Sequence, residues 1–140
     1  MEKDCGMWIN ILSHMLKKRM NANTQSLGIT GVQSHVMHYI LVKCADGPVF
    51  QRDVEKAFSL SRSTATGILQ LMEKNGFLLR EPVAYDARLK KLVLTPKALA
   101  VHEGVISRIR ATEARITKDV TPEELEQFFA ITAKFRRNLE

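Results

Sequence analysis

Two stretches of the chain concentrate side chains that bind polyanions. In YDARLKKLVLT, residues 85–95, one carboxylate and three cations stand within six positions, at Asp86, Arg88, Lys90 and Lys91. In SLSRSTATGILQ, residues 59–70, short hydroxyl side chains accompany an arginine and a glutamine. Hydroxyls donate hydrogen bonds to phosphates or base edges, arginine and lysine pair with phosphates, and glutamine can bind adenine with two hydrogen bonds. These residue types suggest recognition of a nucleic acid.

The charge of the chain is unevenly distributed. The formal net charge is +6, from 21 lysines and arginines against 15 aspartates and glutamates. Residues 51–97 hold nine of the cations and five of the acids, whereas residues 98–140 hold seven of each. The excess therefore lies in the segment that contains both polar stretches. A localised basic excess is typical of polyanion binders, although many basic proteins bind none.

Hydrophobic periodicity and capping residues predict the helices that position these stretches. Apolar residues recur every three or four positions over residues 7–20, which predicts a first helix. Thr30 with Gln33 forms a capping box for a second helix, which ADGP at residues 45–48 ends. A short helical pattern follows in VFQRDVEKAF, residues 49–58. Ser61 is a good N-cap for a fourth helix, which Asn75 and Gly76 terminate. Its predicted buried stripe is Ala65, Ile68, Leu69 and Met72.

A hairpin and two longer helices complete the pattern. The apolar runs 77–79 and 92–94 are separated by twelve mostly polar residues, which predicts a β-hairpin with a long polar arm. Thr95 followed by Pro96 starts a long helix through about Lys118. Thr121 and Pro122 repeat that signature for a last helix.

This order of elements is that of a winged helix-turn-helix, a mainly α fold with a small β-hairpin wing. The fourth helix would enter the DNA major groove and the basic hairpin would reach the adjacent minor groove. By itself, SLSRSTATG is equally consistent with a well-capped helix start that contacts nothing. The residues predicted to contact DNA are Ser61, Arg62, Ser63, Thr64, Thr66, Gln70, Arg88, Lys90 and Lys91.

The stretch LQLMEKNGFLLREPVAYDARLKKLVLT, residues 69–95, resembles the MarR (multiple antibiotic resistance regulator) family. The match runs through Lys74, Gly76, Arg80, Asp86, Arg88, Leu94 and Thr95. The resemblance implies a homodimeric transcription regulator on a pseudo-palindromic operator, acting mainly as a repressor and relieved by a small-molecule ligand or thiol oxidation. It also implies that Arg88 enters the minor groove while Asp86 orients the wing. One departure is Ala98, where the family commonly has glycine, and we expect it to affect only the local helix entry.

The long fifth helix is apolar on more than one face. Its apolar residues are Leu99, Ile106, Ile109 and Ile116 on one face and Ala98, Val101 and Val105 on the adjoining one. Such a helix needs several neighbours, which favours a dimer over a monomeric bundle with a thick core. We therefore expect one domain over residues 1–140. Its dimerisation helices would lie at about 3–25 and 96–140, and its winged helix-turn-helix at about 30–95.

Weaker signals concern ligands and thiols. Relatives bind small aromatic or phenolic acids in a crevice, and the candidates to line one here are Trp8, Met15, His38 and Tyr39, for which ordinary packing is at least as consistent. The histidines His14, His35, His38 and His102 lack the His-x-x-x-His pair of the family's metal sensors, so no metal site is predicted. Cys5 lacks the flanking pattern of the peroxide sensors, and Cys44 is expected to be buried.

Several function classes find no support in the sequence. There is no Gly-x-Ser-x-Gly elbow, no phosphate-cradling glycine loop and no His-Glu-x-x-His, so no catalytic residue and no cofactor are predicted. No apolar run suits a signal peptide or a membrane span, so we expect a cytoplasmic protein. The alternatives to a regulator are a winged-helix module that binds a protein partner and an architectural DNA binder without sequence preference.

Overall fold

The computed structural model describes residues 4–24 and 27–140 of the chain. The helices are α1 (Cys5–Thr24), α2 (Gly31–Lys43), α3 (Gln51–Phe58), α4 (Arg62–Lys74), α5 (Pro96–Ile116) and α6 (Pro122–Leu139), and the strands are β1 (Leu78–Val83) and β2 (Asp86–Leu94). The predicted mainly helical fold with a β-hairpin is confirmed. The limits placed near residues 3 and 25 lie outside the described residues.

The predicted helix starts are confirmed by their hydrogen bonds. The Thr30 hydroxyl accepts from the Gln33 N–H at 3.2 Å, and the Gln33 side chain accepts from the Thr30 N–H at 3.3 Å, so the capping box of α2 is complete. Thr95 caps α5, because its hydroxyl accepts from the Ala98 N–H at 3.2 Å. Ala98 is fully buried there, so the methyl group that replaces the family's glycine packs inside the core.

A tight turn joins α3 to α4. After Phe58 the chain passes through Ser59, which adopts the left-handed region with φ of 52°. The Leu60 N–H then donates to the Glu55 carbonyl at 2.8 Å, which satisfies the end of α3. Ser61 follows as the N-cap of α4. Only residues 59–61 therefore separate α3 from α4.

The hairpin differs from its prediction in strand length. β1 and β2 pair antiparallel from Leu78 opposite Leu94 as far as Val83 opposite Asp86, so only Ala84 and Tyr85 form the turn. Most of the polar arm is therefore strand. The pairing skips from Pro82 opposite Lys90 to Val83 opposite Asp86, which leaves residues 87–89 without a partner in β1. This irregularity has the character of a bulge, which bends and twists a strand locally.

The hydrophobic core lies among α2, α3, α4, the hairpin stem and the first half of α5. Its fully buried members include Val36, Met37, Ile40, Val54, Leu69, Met72, Phe77, Leu78, Ala98 and Val105. The stem of the hairpin joins this core because Leu92 is buried and its N–H donates to the Val49 carbonyl at 2.7 Å. The wing is therefore anchored to the helices at its stem.

The expectation that Cys44 is buried is wrong. Cys44 is the C-cap of α2 and begins a short 3₁₀ turn, Cys44–Asp46, where its side chain is exposed. Its thiol donates a hydrogen bond to the Leu41 carbonyl at 3.1 Å. Cys5, at the start of α1, is exposed as well.

The chain divides into two compact units, one extending to Arg110 and the other formed by Ala111–Glu140. The single domain expected over residues 1–140 stays a prediction. In the second unit α6 starts as predicted after Thr121, and Thr121 and Glu124 form a capping box there. Phe128 and Phe129 of α6 stack edge to face, and both are exposed in this chain.

Candidate nucleic-acid interface

The N-terminus of α4 is built from exposed hydroxyl side chains. The Ser61 hydroxyl accepts from the Thr64 N–H at 3.2 Å and donates to the Thr64 hydroxyl at 2.9 Å. Ser61, Arg62, Ser63 and Thr64 are all exposed. The first turn of a helix carries unpaired N–H groups and the positive end of the helix dipole, so anions bind there favourably. Ser61 thus shapes this anion-attracting end by capping it.

Asp86 and Arg88 are hydrogen-bonded to each other on the hairpin. The Asp86 Oδ1 accepts from the Arg88 backbone N–H at 2.9 Å and lies 3.4 Å from its Nε. Meanwhile 93% of the Arg88 side chain remains exposed. The carboxylate therefore restrains the backbone and the base of the guanidinium while leaving its outer nitrogens open to solvent. This geometry suits a cation that reaches outward.

A cleft of about 740 Å³ separates α4 from the hairpin, with the start of α3 along its floor. It is lined by Phe50, Gln51, Arg52, Glu55, Arg62, Thr66, Gln70, Glu73, Arg80, Arg88, Leu89 and Lys90. Five of these side chains are cationic and two are acidic, so the walls carry a net positive charge. A concave surface of one sign concentrates the opposite charge near it. The structure thus brings five of the predicted residues together, namely Arg62, Thr66, Gln70, Arg88 and Lys90.

Lys91 does not line this cleft. Side chains alternate between the two faces of a strand, so neighbouring Lys90 and Lys91 point to opposite sides of the hairpin. Lys90 lines the cleft, whereas Lys91 borders a separate, largely apolar cavity of about 560 Å³ together with Val49 and Tyr85. A phosphate contact by Lys91 stays a prediction.

A polar network that the sequence reasoning missed crosses the floor of the cleft. The Gln51 side-chain N–H₂ donates to the Thr66 hydroxyl at 2.9 Å, and its oxygen accepts from Arg80 Nη2 at 3.2 Å. Arg80 Nε in turn donates to Glu73 at 2.8 Å. Thr66 and Arg80 lie 15 and 29 positions after Gln51 in the sequence. A local sequence pattern therefore could not have predicted this network. Arg80 could have been found only through its place in the family pattern.

Comparison with known proteins identifies the architecture. The sequence profile of the MarR family matches residues 27–89. The crystal structure of the transcription regulator MarR from Oenococcus oeni PSU-1 is 30% identical, with a TM-score of 0.84 over 96% of this chain and 99% of that chain. The chain belongs to the MarR family. The winged helix-turn-helix predicted from the sequence is thereby confirmed for this MarR family protein.

Two more distant structures share the fold and were solved with DNA. The S. aureus MepR–DNA complex is 24% identical, with a TM-score of 0.88 over 98% of this chain and 97% of that chain. A Listeria monocytogenes protein complexed with a 26-mer DNA is 20% identical, with a TM-score of 0.82 over 98% and 89%. At these identities the likeness concerns the fold. As a MarR family member the protein is a transcription regulator and not an enzyme.

The four residues predicted to line a ligand crevice have different surroundings within this chain. Trp8 and Met15 are exposed on α1. Tyr39 stacks edge to face on Phe58 of α3, with ring centroids 5.6 Å apart, whereas His38 faces α5. A crevice formed by these four residues stays a prediction for the MarR family protein.

His38 and His102 form a stacked pair between α2 and α5. Their ring centroids lie 5.9 Å apart at an angle of 20°. Burial, followed by the neighbouring His38, lowers the pKa of His102 from its ordinary value of 6.5, and the nearby Glu103 opposes that shift. Among residues 4–24 and 27–140, no group of three or more histidine, cysteine or acidic side chains could hold a metal ion. Within the same ranges, no helix has the length and apolarity that a membrane crossing requires.

Proposed function

We propose that this MarR family regulator binds double-stranded DNA sequence-specifically, as a homodimer, and represses the genes beside its operator. The observation that carries the proposal is the basic cleft between α4 and the wing, which exposes Arg62 and Gln70 on one wall and Arg88 and Lys90 on the other. The related S. aureus MepR was crystallised with DNA in the same fold. Here α4 would occupy the major groove and Arg88 the neighbouring minor groove, with Lys90 on a phosphate.

The apolar surfaces on the terminal helices support a homodimer. On α1 the exposed apolar residues include Met7, Trp8, Ile9, Leu12 and Met15, and on α6 they include Phe128, Phe129 and Ile131. Soluble monomers seldom leave this many large apolar side chains in water along one helix. A second copy of the chain is the occupant we propose for both surfaces. Because a dimer of identical chains is two-fold symmetric, its operator would be pseudo-palindromic, with half-sites about one helical turn, roughly 34 Å, apart.

Repression would follow from steric occupancy of a promoter by the bound dimer. To act in this way the protein would reside in the cytoplasm, where the chromosome lies. We further propose that a small aromatic acid or oxidation of a thiol releases the DNA. Two observations support this: the thiols of Cys5 and Cys44 are exposed, and His38 and Tyr39 are only partly buried. Release by either agent requires that it favour the dimer conformation that cannot bind DNA. Adding an aromatic acid or peroxide to a preformed complex and following the loss of bound DNA tests each route.

Gel-shift titrations over a salt series test the DNA-binding proposal. Arg88→Ala should weaken binding to the operator far more than binding to a scrambled fragment. Lys90→Ala should weaken both alike and reduce the slope of log K against log[salt] by about one phosphate contact. The wild-type dimer must retard its operator at concentrations that leave the scrambled fragment free. Equal affinity for all fragments would indicate an architectural binder, and no retardation at all would favour a module that binds a protein.

A further inference from the structure

We propose that Gln51 and Arg80 form an internal strut that sets the distance between α4 and the wing, and that Thr66 belongs to this strut and not to the DNA-contacting set. The inference rests on the proposed DNA-binding function. It assigns positioning roles to two residues outside the predicted interface and changes the role predicted for Thr66. It concerns a network whose members all lie within the unit extending to Arg110.

Gln51 has hydrogen bonds at both ends of its amide. Its N–H₂ group donates to the Thr66 hydroxyl at 2.9 Å and lies 3.4 Å from the Arg62 carbonyl, both on α4. Its oxygen accepts from Arg80 Nη2 on β1 at 3.2 Å. Since Gln51 is the first residue of α3, this single side chain connects three elements. The Thr66 hydroxyl accepts a hydrogen bond in this link, and Thr66 is half-buried, unlike the exposed Ser63 one turn earlier.

Arg80 is held in place on two sides. Its Nε donates to Glu73 of α4 at 2.8 Å, and its Nη2 donates to Gln51 of α3. Only 27% of its side chain is exposed, against 93% for Arg88. Moving the Arg80 side chain outward toward a phosphate would break both of these bonds. Its charge is also offset by Glu73, so it should release little counterion from DNA. These features fit a fixed strut better than a phosphate contact.

The strut acts on the wing through the strand ladder. Arg80 of β1 stands opposite Leu92 of β2, the strand that carries Arg88 and Lys90 on the cleft side. Fixing β1 against α3 and α4 therefore fixes where the wing stands relative to α4. Base-edge recognition requires contacting groups to be held closely in position, whereas phosphate attraction tolerates displacement. Loss of the strut should therefore reduce sequence discrimination more than it reduces charge-driven binding.

Three variants test the strut on the full-length protein: Gln51→Leu, Arg80→Met and the double variant. Each should lower the ratio of operator to scrambled-DNA affinity by about tenfold, comparable with one mismatched base pair. The double variant should lose no more than the larger single loss, because both changes remove the same link. In all three the salt slope should equal that of wild type. Lys90→Met is the matched control, and it should reduce the slope by about one while keeping the ratio.

Two outcomes of the DNA titrations would overturn the inference. A slope that falls by about one in Arg80→Met would make Arg80 a phosphate contact. Losses that add in the double variant would show that Gln51 and Arg80 act separately. Circular dichroism of each variant confirms that it is folded before titration.

A second measurement does not depend on DNA. In the free protein, the Nε–H signal of Arg80 should exchange with water at least about tenfold more slowly than that of exposed Arg62, because it is bonded to Glu73. Glu73→Gln should remove most of that difference. Equal exchange at Arg80 and Arg62 would show that no strut forms, whatever the DNA result. Conversely, the Arg80 Nε–H could exchange slowly in a protein that binds all DNA sequences equally. That result would contradict the proposed function and still support the strut.

Discussion

The sharpest prediction concerns Asp86, a carboxylate placed where DNA would approach. Asp86→Ala removes a negative charge from the wing, and on charge alone it should strengthen binding to a polyanion. The structure predicts the opposite, because Asp86 accepts from the backbone N–H of Arg88 at 2.9 Å and holds its Nε at 3.4 Å. Without it, Arg88 must be ordered at the moment of binding.

The magnitudes favour the loss. A unit charge roughly 10 Å from a phosphate contributes only about 0.4 kcal/mol in water. Against this, the loss of Asp86 frees the Arg88 side chain, which must then be ordered when DNA binds. Ordering a free arginine side chain costs up to about 2 kcal/mol of rotamer entropy. The net loss is about 1 to 2 kcal/mol, which weakens operator binding about 5- to 30-fold. Because the Arg88 side chain is 93% exposed, its ion pair should hardly affect folding stability.

Fluorescence anisotropy titrations with operator DNA, together with urea unfolding, measure both effects. Glu81→Ala is the matched control, since it removes the same charge from the opposite strand of the same hairpin, where Glu81 pairs with Lys91. It should leave affinity equal or slightly higher. Asp86→Asn keeps an oxygen that can accept from the Arg88 N–H. Its affinity for the operator should therefore lie between those of Asp86→Ala and wild type. If Asp86→Ala binds as tightly as Glu81→Ala, the orienting role of Asp86 is refuted.

Three further predictions concern stability and binding together. Gly31→Ala should destabilise the fold by about 1 to 3 kcal/mol in urea unfolding, because the added Cβ would lie 2.7 Å from the Cβ of Met20. Gly67→Ala should stabilise the fold by up to about 1 kcal/mol, since its new methyl meets nothing within 4 Å. It should nevertheless weaken operator binding, because the methyl stands on the exposed side of α4. Because the pKa of His102 is lowered in the folded protein, this histidine binds a proton at a higher pH in the unfolded chain than in the folded one. The free energy of unfolding should therefore fall as the pH drops below about 6.5. His102→Gln should flatten that fall, measured by urea unfolding at about pH 7.5 and about pH 5.5.

Matched variants separate these effects from their alternatives. Gly67→Ala is itself the control for Gly31→Ala, because both replace a helical glycine by alanine and only Gly31 lacks room. If the two substitutions change the free energy of unfolding equally, the contact with Met20 is not what destabilises Gly31→Ala. If Gly67→Ala binds the operator normally, α4 does not approach DNA on that side. His14→Gln replaces an exposed histidine of α1 and should keep the wild-type pH dependence. A wild-type slope in His102→Gln would show that another group controls stability in this range.

The helix boundaries were predictable because their signals are local. Thr30 with Gln33 and Thr121 with Glu124 each form a capping box three residues apart, and the structure contains both. The lengths of the two hairpin strands were harder to predict. It buries few side chains beyond its stem, so its strands show little alternation of apolar and polar residues. They are held by the ladder, which a sequence pattern does not display.

The sequence predicted members of the candidate interface only where the type of a residue is enough to suggest a DNA contact. Arg88 and Gln70 were predicted because their side chains are suited to phosphates and bases, and both line the cleft. The split between Lys90 and Lys91 depends on strand register, which the sequence pattern did not reveal. The role of Gln51 depends on partners that only the folded chain brings near. Likewise, exposure of Cys44 follows from its position at the end of α2 and not from its residue type.

The uneven pairing of the hairpin also determines where its length can change during evolution. One residue inserted between Lys90 and Leu92 would shift the two parts of β2 against each other by one position. Either Leu92 would then leave the core and lose its bond to Val49, or Lys90 would change faces. Residues 87–89 have no partner in β1, so an insertion or deletion there leaves the stem in register. The wing can therefore be lengthened or shortened near its tip without disturbing its attachment. How far the wing reaches and how it is fastened to the helices can evolve independently.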